Sequence, residues 1–276
     1  VTAFSSADGT RLAYHRHGDT PPLVLLPGGP MVGSAYLAGL AERLPSVRLD
    51  LRGTGASEVP ADPTSYRCDR QVDDVEALRQ ELGLERLDLL GHSAGGTLAL
   101  LYALRHPDRV ARLVLAAPSP RPVGILVTDD DRREVARQRE GEPWFADAYA
   151  GFEGIWAGEL TDENFDRIQP FMHGRWDSAA RAAVEWEDAA RNDEAAGTYY
   201  APGCFDPAEV RAALCAVTAP VLLLSGGVDP ALPPHRAAEY AALFPNARHE
   251  IQPGAGHTPW RDDPEWTLAA LTAFLA

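Results

Sequence analysis

The chain has 276 residues, 45% of them hydrophobic, which suits one large α/β domain or two small ones. Its net charge is −15 and every basic residue is an arginine, an acidity that argues against a nucleic-acid partner, because phosphates need basic patches. No run of about 18 apolar residues occurs, so no membrane-spanning helix and no membrane partner are expected.

After the turn Asp8-Gly9, Thr10–His17 reads as an early strand. Leu23–Leu26 is an apolar run closed by Pro27-Gly28-Gly29-Pro30. Tyr36–Leu44 reads as helical, Val47–Leu51 as the next strand, and 52–57 as a loop. Val72, Val75, Leu78 and Leu82 have helical spacing. The apolar run ending at Leu90 predicts a buried strand, and the stretch from Thr97 a buried helix. Val110–Ala116 is another strand. From 119 to 206 the pattern turns helical or irregular, with nine arginines against nineteen aspartates and glutamates. The strand–helix rhythm then returns with Val221–Leu224, His235–Leu243, Ala247–Ile251 and Trp266–Leu275. This alternation predicts an α/β fold with a mostly parallel sheet and helices on both faces. The core is expected in residues 1–118 and 207–276, with 119–206 inserted as a helical cap.

Between the buried strand and helix lies Gly91-His92-Ser93-Ala94-Gly95, a G-x-S-x-G match. In a nucleophile elbow the chain turns so sharply that the serine is exposed above the sheet, at a helix N-terminus. Ser93 is therefore the expected nucleophile. A serine hydroxyl needs a base, and the base needs a carboxylate to fix its tautomer. In elbow hydrolases these follow in the order Ser, acid, His. Asp229 lies just past the strand at 221–224 and His257 just past the strand at 247–251, in that order. The N–H of Ala94 is the first expected oxyanion donor, and that of Gly29, in the loop after Leu23–Leu26, the second. No metal or organic cofactor is expected, because these groups suffice and no ligand cluster is visible. Cys68, Cys204 and Cys215 are odd in number and contain no C-x-x-C, so reduced thiols are expected. The first eight residues lack the basic and apolar parts of a secretory signal, so a cytoplasmic location is expected.

With these residues together, the chain resembles the α/β-hydrolase superfamily over nearly its full length, and within it the proline iminopeptidase branch. Pro27-Gly28-Gly29-Pro30-Met31 keeps the G-G-P of that branch's H-G-G-P-G but not its first or last residue. Asp50-Leu51-Arg52-Gly53-Thr54-Gly55-Ala56-Ser57 fits the superfamily string D-x-R-G-x-G-x-S completely. The branch carries a Trp-Glu pair in its cap, whose glutamate binds the substrate's free amine. The resemblance gives that role to Glu187, with Trp186 beside it as a further substrate-binding residue; Glu185, and Glu153 near Trp156 in an aromatic stretch, are further candidates. Tyr199-Tyr200 echoes an aromatic pair that the branch precedes with a second amine-binding glutamate; here Ala195, Ala196, Gly197 and Thr198 precede it. The elbow has Ala94 where the branch often has tryptophan.

The implied activity is hydrolysis of an amide or ester in a small molecule or short peptide, in its sharpest form as an aminopeptidase. An esterase, lactonase or cofactor-free perhydrolase has the same triad and remains the alternative. A catalytically idle binding protein is disfavoured by the complete triad. Nothing in the sequence sets the oligomeric state.

Overall fold

A computed structural model describes residues 1–19 and 21–276. Its strands are β1 (Thr2–Ser5), β2 (Arg11–His17), β3 (Leu23–Leu26), β4 (Ser46–Asp50), β5 (Leu87–His92), β6 (Val110–Ala116), β7 (Val221–Gly226) and β8 (Ala247–Gln252). They form one eight-stranded sheet in the order β1-β2-β4-β3-β5-β6-β7-β8. β2 pairs antiparallel with β1 and β4, and all pairings from β4 to β8 are parallel. The sequence reading did not anticipate β1. It is a four-residue edge strand that buries only Phe4, too short to show a period.

Each inner strand is buried on both sides and splits its side chains between two cores. Val24, Leu26, Leu89, Leu113, Leu115, Val221 and Leu223 face one; Leu23, Leu25, Leu90, Val114, Leu222 and Leu224 face the other. This is why the strands read as continuous apolar runs rather than as alternation. The helices are α1 (Ala38–Ala41), α2 (Val72–Glu81), α3 (Ala94–Arg105), α4 (Asp129–Arg137), α5 (Phe145–Trp156), α6 (Asp162–Arg167), α7 (Ser178–Ala189), α8 (Asp193–Tyr199), α9 (Pro207–Ala213), α10 (Pro234–Ala241), α11 (Pro259–Asp262) and α12 (Pro264–Leu275). α2, α3 and α10 pack into the first core, and α1, α11 and α12 into the second. The helix expected over Tyr36–Leu44 is instead a 3-10 turn, Ser34–Leu37, followed by the single turn α1.

The regular structure between β6 and β7 is helical, joined by irregular loops, with one isolated bridge from Arg191 to Val32. Phe152, Phe171, Ala148 and Ala136 make a third, separate core there, flanked by Trp144, Phe145, Tyr149 and Trp156. The far end of this segment docks on the main body. Ala195 and Tyr199 enter the first core, and the Tyr199 hydroxyl donates to the Ala94 carbonyl at 2.9 Å.

The string beginning at Asp50 supports the scaffold. Asp50 accepts from the Ser34 N–H and hydroxyl (3.1 and 2.6 Å) and from the Ala56 N–H (2.9 Å), and pairs with His15. Arg52, 2% exposed, reaches Asp74 at 2.5 Å and Asp8 at 2.8 Å. No helix among the described residues is long and apolar enough to cross a membrane.

Candidate active site

The loops at the carboxyl ends of β3, β5, β7 and β8 converge, as expected of an open parallel sheet. Ser93 joins β5 to α3 with φ 51° and ψ −117°, a conformation that L-residues rarely adopt. Small neighbours allow it. A Cβ on Gly91 would lie 2.3 Å from the Gly95 carbonyl oxygen, and one on Gly95 would lie 2.4 Å from that of Leu26. The two glycines thus let α3 start directly over β5 and β3.

The Ser93 Oγ lies 2.9 Å from Nε2 of His257, whose Nδ1 lies 2.8 Å from Oδ2 of Asp229. Asp229 is fully buried, and its other oxygen accepts from the Ala231 N–H at 2.8 Å. An ionised carboxylate only accepts, so Nδ1 carries the proton and Nε2 is free to receive one from the serine. Burial alone would lower the His257 pKa. The charge of Asp229, its hydrogen bond and the charge of Glu187 outweigh that and raise it above the ordinary value. His257 is held from the inserted segment too, its N–H donating to the Met172 carbonyl at 2.8 Å.

Gly29, at φ 118°, shares a cavity lining with Ser93, and the Ala94 N–H opens α3. Among the described residues neither N–H meets an acceptor. The Gly28 N–H is already taken, donating to the Tyr36 hydroxyl at 2.7 Å. That leaves the Gly29 and Ala94 donors available to a negative oxygen.

Two participants escaped the sequence reading. The Tyr36 hydroxyl donates in turn to Nδ1 of His92 (2.8 Å), and Nε2 of His92 donates to the carbonyl oxygen of His257 (2.9 Å). A carbonyl can only accept, which fixes this tautomer. Burial, then the nearby His257, keeps His92 well below the usual histidine range and so neutral. Three hydrogen bonds therefore link the Gly28–Gly29 loop, the elbow and the His257 loop.

Above Ser93 lies a cleft of about 300 Å³, walled by Tyr36, Ile168, Met172, Val184, Glu187 and Arg191 among others. On α7, Val184 and Glu187 share the face that looks into it. Glu185 and Trp186 fall on the outer faces of the same helix and are exposed, Trp186 at 40%. Glu153 also points to solvent, because α5 turns Gly151 and Phe152 inward. Of the four residues expected to bind substrate, only Glu187 thus reaches the cleft. Its carboxylate is not free: the Arg261 guanidinium donates to it at 2.5 Å and lies 5.7 Å from the centre of the Tyr36 ring. Among the described residues no group of three or more His, Cys, Asp or Glu side chains could hold a metal ion.

Fold and site together define a class, proteins built on a mostly parallel sheet with a sharp strand-to-helix elbow, here between β5 and α3. The chain belongs to the alpha/beta hydrolase fold family, whose profile matches residues 21–264. It is 26% identical to a proline iminopeptidase of Heyndrickxia coagulans over 99% of this chain and 97% of that protein. It is 29% identical to an N-formylmaleamate deformylase of Pseudomonas putida, over 98% and 94% respectively. Among solved structures it resembles an esterase from Exiguobacterium antarcticum, with a TM-score of 0.75, 21% identity and coverage of 99% and 98%.

Proposed function

We propose that this chain is a serine hydrolase of small esters or amides. One observation carries the proposal: the unbroken series from Ser93 through His257 to Asp229, at 2.9 and 2.8 Å. Ser93 Oγ attacks the substrate carbonyl while Nε2 of His257 takes its proton. Asp229 stabilises the imidazolium so formed. The Gly29 and Ala94 N–H groups hold the oxyanion. His257 then protonates the departing alcohol or amine, and water cleaves the acyl-enzyme by the same route. Residues 119–206 serve as a cap that walls the cleft.

Ser93→Ala should lower kcat/KM by more than about 10⁴-fold with the fold intact. A fluorophosphonate should label Ser93 alone. Labelling at another residue, or an active alanine variant, would overturn the assignment.

Within this class, a proline iminopeptidase-like aminopeptidase is supported by the relative of that name and by Glu187 at the cleft. The Arg261–Glu187 pair weighs the other way. A substrate ammonium would have to displace a guanidinium from the carboxylate, and a desolvated ammonium left unpaired costs several kcal/mol. The pair therefore favours the esterase or small-amide reading. The two separate on an aminoacyl p-nitroanilide and its N-acetylated twin. An aminopeptidase prefers the free amine and loses that preference in Glu187→Gln; the favoured reading predicts that acetylation is neutral or helpful.

A further inference from the structure

Three openings meet at Ser93, of about 300, 650 and 380 Å³. Apart from His257, their charged walls are Glu187, Asp188, Arg191, Asp193, Arg132 and Arg121. Five of these six are matched. Arg261 holds Glu187, and Arg191 lies 3.7 Å from Asp188 and 2.8 Å from Asp193. Arg132 lies 3.6 Å from Asp129 and donates to the Val127 carbonyl. Of these six wall residues, Arg121 is the one for which no carboxylate lies within 4.0 Å among the described residues.

Arg121 lines two of the three openings, each together with Ser93. Its guanidinium lies 5.0 Å from the centre of the Tyr200 ring, and the Tyr200 hydroxyl is fixed against Thr97 Oγ1 at 3.1 Å. A guanidinium braced on an aromatic face is pre-oriented and still presents its N–H fork sideways. One of the two openings pairs this cation with an apolar wall of Ile125, Val127 and Ala231. In a chain of net charge −15, a positive charge is the unmatched one beside the serine.

We propose that Arg121 forms an anion subsite, so that the substrates of this enzyme are esters or amides whose acyl or leaving group carries a carboxylate. The inference rests on the serine hydrolase reading above and deepens it. The carboxylate would meet the guanidinium as a bidentate, charge-assisted pair, and the body of the group would lie along Ile125 and Val127. A free ammonium at the same place would be repelled.

Two matched pairs of substrates test it. p-Nitrophenyl hydrogen adipate and p-nitrophenyl methyl adipate differ only by a carboxylate on the acyl side. 4-Acetoxybenzoate and methyl 4-acetoxybenzoate differ by one on the leaving side. Each rate is divided by the spontaneous hydrolysis rate of that ester. The anionic twin should be favoured by about tenfold in kcat/KM in one pair at low salt, the order of a partly exposed charge-assisted bond. The ratio should fall towards one as sodium chloride is added. Arg121→Gln should bring it to about one and Arg121→Lys should keep part of it. A ratio of one or less for both pairs in the wild type, or an unchanged ratio in Arg121→Gln, overturns the subsite. If the neutral twins still turn over in a Ser93-dependent way, the hydrolase reading survives that result. If no ester of the four does, both fall together.

Discussion

Ser93, His257 and Asp229 fix the expected pH response. On the proposed mechanism activity requires neutral His257, so it should rise with pH through the imidazole's pKa. Asp229 and Glu187 raise that value, which puts the midpoint above about 6.5. Glu187→Gln removes one of the charges that hold the proton, so the midpoint of log kcat/KM should move to lower pH. An upward move or no move would show that Glu187 does not act on the base. The three residues were legible because each lies in the loop just past a strand, Ser93 and Asp229 after apolar runs and His257 after the mixed strand β8, in the chain order such a triad has. The Tyr36–His92 link was not, since the His92 contact to the His257 carbonyl spans 165 positions and leaves no local pattern. Arg261 was missed for the same reason. Its partner Glu187 lies 74 positions away, so helical spacing could bring Glu187 to the cleft without showing that its charge is matched.

The elbow shows what a strand-to-helix turn requires of its neighbours. Gly95 passes so close to β3 that a methyl group there would stand 2.4 Å from the Leu26 oxygen and 2.5 Å from that of Pro27. Both are backbone atoms that cannot swing aside. Gly95→Ala should destabilise the protein by about 1–3 kcal/mol in urea titration, the usual cost of overpacking. It should also slow fluorophosphonate labelling of Ser93, and an unchanged labelling rate would mean the strain spreads elsewhere. The strand and helix types were readable here because β3 is an apolar run throughout and β5, β6 and β7 contain apolar runs. Element ends drifted by up to three residues, and the helix at Tyr36–Leu44 broke into a 3-10 turn and α1, with Tyr36 turned inward to reach His92 and Gly28.

Across the whole molecule the acidic excess leaves few buried cations, and Arg52 is the most enclosed of the ion-paired ones. It joins the Asp8 turn, the end of β4 and Asp74 of α2, where Ser6 donates to the same carboxylate at 2.5 Å. Arg52→Ala would leave the Asp74 carboxylate buried without its partner. A loss of about 3–5 kcal/mol in denaturant titration is expected, with the pH midpoint of any surviving activity unchanged. A loss under 1 kcal/mol would show that solvent reaches Asp74. The string around Arg52 was recognisable as a family feature, but its use as a brace between β4, α2 and the first turn appears only when those three elements are in place.

The helices between β6 and β7 are tied to the machinery below them. Met172 holds the backbone of His257, Gly174 shares Asp262 with Gly256, and the Ala190 carbonyl and Asn192 N–H bond to Gly33 and Met31, just past Gly29. Such a segment is not an interchangeable module. A chimaera that replaced 119–206 wholesale would exchange the walls of the cleft and at the same stroke remove the props under the base and under the oxyanion loop. Transplanting specificity into this scaffold therefore means grafting individual side chains of α7 and α8, with 172–174 and 190–192 kept as native joints.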